Sequence, residues 1–318
     1  MILTVEDFLH IDLPALMAAV LAAVSCGLLG NFLVLRRQAL IGDAISHLVL
    51  PGIVVGFLIA GEVLTVAMMA GALGAALVGV LLIEAIRRLG GIESGAAMGV
   101  VFTVMFAAGV VLLEQTGSAA VHLDVEHALY GALETTLWLT PTGWESLADP
   151  AVWATLPREV TTLAAVTAIV VAAIVLFYKE LKIVAFDPDL ATSLGFSART
   201  VSAGLVVLVA MAAVAAFDAV GSILVIAMFI CPASTARMLT DRLSRQLLLS
   251  VLAATLAGIG GYVLAAFGPF WFGGENSLNA AGMIAVVAGA LQTLAMLLAP
   301  RYGVLPRMFR RWRIRATG

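Results

Sequence analysis

Asp43 and His47 stand four residues apart in the stretch LRRQALIGDAISHLVLPGIVVGF, residues 35–57. Four residues is close to one helical turn, so in a helix both side chains share a face. A carboxylate oxygen and an imidazole nitrogen so placed make a usable half-site for Mn²⁺, Fe²⁺ or Zn²⁺. Two ligands hold an ion loosely, which suits passage better than storage. The same pair also fits a proton relay, or a hydrogen-bonding pair that only fixes helix packing. Spacing alone leaves all three open. A helix beginning near Gln38 puts His47 roughly 14 Å along it, close to the midplane of a hydrocarbon core about 30 Å thick. Pro51 and Gly52 follow and are expected to break the helix beyond the pair, which membranes tolerate where backbone lines a cavity.

Other polar groups interrupt apolar surroundings. Asp218, in VAAFDAVGSILV, lies between two apolar runs. It would complete an entrance site for the ion or mark a turn or helix start. Pro232 is expected to kink the helix that follows, with Ser234 and Thr235 able to bond the freed carbonyls. VHLDVEH gathers His122, Asp124, Glu126 and His127, a spacing open to metal capture, partner docking or plain solvation. In KELKIVAFDPDLATSLGFSART, Asp187–Pro188–Asp189 reads as a helix start and Gly195 as its end. That short amphipathic helix, about 186–195, is either a solvated loop or a handle for a partner.

The elements that position these residues follow from composition. The chain has 318 residues, 62% hydrophobic and 12% charged, with a mean hydropathy of +1.10. A soluble domain carries about twice that share of charge, so there is too little polar side chain to cover a wetted surface. The expected fold is all-α and polytopic, a single transmembrane unit over 1–318 with about nine spans. They lie near 14–36, 40–60, 63–86, 96–114, 160–178, 200–217, 219–236, 246–267 and 280–299. The break around Asp218 is only one charge wide. The opening MILTVEDFLHIDLP is acidic where a signal peptide carries Lys or Arg, so the first run is expected to be a retained helix.

Threading nine spans with the N-terminus outside puts 16 of 17 Lys and Arg on one side, leaving Arg158 alone opposite. The positive-inside rule makes that side the cytoplasm, and so the C-terminus cytoplasmic. The basic tail 301–318, with Trp312 among its arginines, is expected to anchor to anionic lipid. The outer segment of about 115–159 carries Trp138, Trp144 and Trp153, which suits interfacial helices in the headgroup zone. Near-neutral charge does not suggest nucleic acid as a partner. Cys26 and Cys231 both sit in apolar runs, as free thiols would.

Catalytic signatures are missing. Lys179 and Lys182 are the only lysines and neither follows a glycine, so a Walker A loop is impossible. H-E-x-x-H and G-x-S-x-G are also absent. An enzyme reading therefore loses most of its support.

Three segments together carry a resemblance. LRRQALIGDAISHLVLPG (35–52) resembles the RR-x-x-L-[IV]-G-D-A-[LI]-S-H-x-[VI]-L-P-G signature of the zinc/manganese/iron permeases of bacterial ABC importers. FDPDLATSLGF (186–196) is similar to that family's segment before its sixth helix. DAVGSILVIAMFICPASTARMLTDR (218–242) resembles its VG-x-x-L-V-x-A-[LM]-x-x-x-P-A-[AS]-T-A segment. The first motif is highly specific and the other two moderately so. The resemblance implies an inner-membrane permease, paired with a like or related second permease on two cytoplasmic ATPase subunits. An external solute-binding protein would deliver the ion. Asp43 and His47 match the family's transit pair. The helix at 186–195 becomes its coupling helix, with Asp187, Asp189, Leu194 and Gly195 at the ATPase contact. No resident cofactor is implied; the metal is cargo. The competing readings are a permease for a metal chelate and a secondary cation transporter working alone.

Overall fold

Backbone groups in an apolar core have no water to bond, so each apolar run closes its own hydrogen bonds as a helix. A computed structural model describes residues 5–38, 40–61, 65–115, 131, 133–271, 273–274 and 276–308, and those residues contain no strand. The helices are α1 (Leu13–Leu35), α2 (Leu40–Ala60), α3 (Thr65–Gly90), α4 (Ser94–Gln115) and α5 (Arg158–Leu176). They continue with α6 (Tyr178–Phe186), α7 (Pro188–Ser193), α8 (Ala198–Leu239), α9 (Leu243–Trp271) and α10 (Ala280–Leu298).

α1 is the centre of the bundle because it is apolar and small on every side. Ala15, Ala18, Ala19, Ala22, Ala23 and Cys26 are each no more than 1% exposed. Its polar exceptions are satisfied. Asn31 Nδ2 donates to Ser250 Oγ at 2.6 Å and to the Gly27 carbonyl at 2.8 Å. Gln246 Nε2 donates to Asn31 Oδ1 at 2.9 Å, so a buried polar clamp joins α1 to α9.

α8 is helical throughout except at Gly221, where φ is 74° and ψ 170°. Run straight, its 42 residues would measure about 63 Å, twice the hydrocarbon thickness. The contacts show that it doubles back. Ser202, near its start, accepts a hydrogen bond from Arg36 just past the end of α1. Beyond Gly221, the Phe229 backbone packs against Gly30 of α1. Gly30 and Arg36 are about 9 Å apart along α1, whereas a straight helix would separate Ser202 from Phe229 by about 40 Å. Gly221 is therefore the corner of a helical hairpin, with limbs 198–220 and 222–239. Its left-handed φ costs glycine little. The corner falls three residues after Asp218, where the sequence placed it.

Seven described helices are long and apolar enough to cross a membrane, with the hairpin taken as one. Taking its limbs separately and including α2, itself 21 residues of apolar helix, gives about nine crossings, as expected. α2 corrects one expectation. The helix passes through Pro51 and Gly52 without interruption, so no break occurs there. Gly52 and Gly56 are instead a close-packing face. A Cβ at Gly52 would lie 2.6 Å from the Gly71 carbonyl carbon, and one at Gly56 would lie 2.9 Å from the Ala67 carbonyl carbon. Glycines one turn apart let two helix backbones touch. Pro232 sits inside the second limb of α8, which continues as helix to Leu239.

Residues 133–156 pack on one end of the bundle. Trp138 is 1% exposed. Its Nε1 donates to Thr155 Oγ1 at 3.0 Å, and its backbone N–H donates to the His10 carbonyl at 2.9 Å. A buried indole with a partner is a packing residue. Trp144 and Trp153 are exposed. Glu134 Oε1 accepts from the Ala280 N–H at 3.1 Å, a carboxylate on the start of α10.

Candidate functional site

α2 begins from a tight turn. Gln38 N–H bonds the Leu33 carbonyl at 2.8 Å and Arg37 N–H bonds the Val34 carbonyl at 3.1 Å. This is a Schellman closure of α1, with Arg37 at a φ of 56° where glycine is usual. In the first turns of α2, Ile41, Ala44, Ile45, Leu48 and Val49 are buried. By helical periodicity positions 43 and 47 fall on the other side of α2 from that stripe. The side chains of Asp43 and His47 lie outside the described residues. Their backbone is ordinary helix, one turn apart as the spacing required.

The stripe is seated by two contacts. A Cβ at Gly79 of α3 would meet the Leu48 side chain, and one at Gly42 would meet the Phe229 ring. Both Gly42 and Phe229 escaped the sequence reading. Only the unusual G-D pairing at the start of a helix signalled the first, and nothing local signalled the second.

Asp218 is exposed at the hairpin corner, within electrostatic range of Glu159 and Arg158. Arg158 also reaches Met69 Sδ at 3.7 Å, near the start of α3. Asp43 lies near the other end of the bundle, where Arg36 is within range of Arg87. Burial first, and then Arg87, pulls the Arg36 guanidinium below its ordinary pKa. The structure does not bring Asp218 to the Asp43–His47 turn.

α7 has the anticipated form. Asp187 Oδ1 accepts from the Asp189 and Leu190 N–H groups at 3.1 and 2.9 Å, a side-chain N-cap. Gly195 has a φ of 86°, and Phe196 N–H bonds the Ala191 carbonyl at 3.0 Å, closing the helix. Ala191 is buried, while Phe186, Leu190 and Leu194 are each about half exposed. Asp189 is exposed as well. The helix turns an apolar edge outward at the basic end of the bundle.

A cavity of about 670 Å³ opens at the opposite, acidic end, lined in part by Asp7, Asp12, Glu134 and Tyr262. Asp12 is engaged by the Tyr262 hydroxyl at 2.7 Å and Glu134 by the start of α10. Among the described residues, no three His, Cys, Asp or Glu side chains converge as a metal site. His122, Asp124, Glu126 and His127 lie outside the described residues, as does Arg310–Arg315 of the basic tail. Cys26 and Cys231 are free thiols.

The ABC 3 transport family model matches residues 9–137 and 152–299. The manganese transport system membrane protein MntD of Bacillus subtilis is 39% identical over 292 residues, spanning 92% of this chain and 93% of that protein. The zinc transport system membrane protein TroD of Treponema pallidum is 38% identical over 295 residues, covering 93% of this chain and 76% of its own. Among solved structures, PsaBC from Streptococcus pneumoniae in complex with a Fab has a TM-score of 0.72 at 27% identity. That likeness covers 93% of this chain and 94% of the other.

Proposed function

This chain belongs to the ABC 3 transport family, and from that premise we propose that it is the membrane permease of an ATP-driven importer for Mn²⁺, Zn²⁺ or Fe²⁺. The observation that carries the metal reading is the first turns of α2, where Asp43 and His47 stand one turn apart away from the buried stripe. A carboxylate oxygen and a neutral imidazole nitrogen together suit Mn²⁺, Fe²⁺ or Zn²⁺. Two protein ligands leave the rest of the coordination sphere to water or to a second subunit, so the ion is held briefly and released.

The chain brings no ATPase motif, so its power comes from partners. Cytoplasmic ATPase subunits would grip α7 through Leu190, Leu194 and the Asp187 cap. A solute-binding protein would deliver the ion at the acidic end, with Asp218 at the entrance. A second permease, like or related, would face the Asp43–His47 side of α2. This arrangement sets the basic end in the cytoplasm and the N-terminus outside, in accord with the charge asymmetry. Closure of the ATPase pair would then rock the bundle between outward and inward access.

Reconstitution in liposomes tests the proposal. Purified permease with its ATPase and binding protein takes up free Mn²⁺ or Zn²⁺ only when ATP is supplied. Uptake by the permease alone along a cation or proton gradient would establish the stand-alone carrier. Uptake restricted to a chelated metal would establish the chelate permease.

A further inference from the structure

We infer that Phe229 is a positioning residue for the turn of α2 that carries Asp43, an inference resting on the transit-pair reading above. Phe229 lies on the second limb of α8, eight residues past the Gly221 corner, and is 1% exposed. Glycines on two other helices receive it. At Gly30 of α1, an added Cβ would lie 2.9 Å from the Phe229 carbonyl carbon. The limb's backbone is thus pressed against α1 and has no room to approach further. At Gly42 of α2, an added Cβ would lie 2.8 Å from Phe229 Cδ2 and 2.9 Å from Cγ. The ring therefore rests on the α2 backbone at the residue bonded to Asp43.

These contacts make the ring a spacer between α1 and the start of α2. A close-packed interior transmits such a displacement instead of absorbing it. Coordination tolerates about 0.5 Å of error before a site loosens. Leu48 over Gly79 holds the next turn from the α3 side, and the three atoms nearest to a Cβ at Gly42 all belong to Phe229. A smaller or displaced side chain at 229 lets the Asp43 peptide shift while the fold persists.

The test uses the complete transporter in proteoliposomes, with metal uptake and ATP hydrolysis measured on the same samples. Gly42→Ala lowers the ions moved per ATP by about ten-fold, while assembly and hydrolysis stay within about two-fold. Adding Phe229→Ala removes Cγ and Cδ2, the ring atoms that the new methyl strikes, and restores coupling to within about three-fold of Phe229→Ala alone. Phe229→Leu by itself shifts the ratio of Mn²⁺ to Zn²⁺ uptake, which mere loss of stability would not do. The inference is overturned if the double variant is no better than Gly42→Ala. It is also overturned if ions per ATP and the metal ratio hold while only the amount of complex falls. Asp43→Ala separates the two claims: normal uptake there removes the transit-pair reading itself. Loss there, beside unaffected Gly42 and Phe229 variants, removes only the positioning role.

Discussion

At the scale of single residues, chemistry that depends on near neighbours was open to reading and chemistry that depends on distant ones was not. Asp187 as a helix cap and Asp43 and His47 as a same-face pair follow from residues within one turn of each other. The Phe229 ring at Gly42 joins residues far apart in the chain, and no local pattern encodes it. Asp241 is a similar case. It accepts from the Tyr302 hydroxyl at 2.7 Å and from Arg301 Nη1 at 2.9 Å, which ties the α8–α9 turn to the chain after α10. The Tyr302 hydrogen bond, then Arg301, holds its carboxyl below the ordinary value of 3.8. A depressed pKa means the tie contributes above that value and is lost as pH falls through the lower folded one. The site is exposed, so salt weakens it. Limited proteolysis after Ala299 should therefore be slower for wild type than for Asp241→Asn at neutral pH. The difference should close as pH falls through the lowered carboxyl pKa, below the ordinary 3.8.

At the scale of elements, the spans were legible because a bilayer leaves little choice: an apolar run of sufficient length must be helix. The reading over 40–60 coincides with α2, and the other spans differ by a few residues at their ends. What escaped was how helices meet. Pro51–Gly52 reads as a helix breaker by type, yet Gly52 and Gly56 serve as the surface on which α3 packs. Because the partner glycine lies on another helix, residue type alone could not show this. Gly52→Ala places a methyl 2.6 Å from the Ala75 Cβ as well as from the Gly71 carbonyl carbon. Overpacking of that kind costs about 1–3 kcal/mol, visible as a lower unfolding temperature in detergent. Gly74 on α3 has open space around its position, so Gly74→Ala should leave that temperature unchanged or raise it slightly. Equal losses from both substitutions would remove the packing argument.

At the scale of the whole molecule, the polytopic class was written in the composition, while the path of the chain depended on one glycine. The hairpin corner at Gly221 decides whether α8 crosses once or twice, and thereby which end of the bundle α9 and α10 start from. Sequence placed that corner at Asp218 because a charge is visible in an apolar run and a left-handed glycine is not. With the corner at Gly221, Arg36, Ser202, Asp241 and Arg301 gather at one end and Asp12, Tyr262 and Glu134 at the other. A chain with no ATPase motif, an apolar helix edge at its basic end and an Asp–His turn near that same end fits a permease driven from outside itself. The most direct test of that account is His47→Ala in the assembled transporter, with metal uptake and ATP hydrolysis followed together. The account predicts that uptake falls to background while the complex still forms and still hydrolyses ATP. Uptake at the wild-type rate would contradict it.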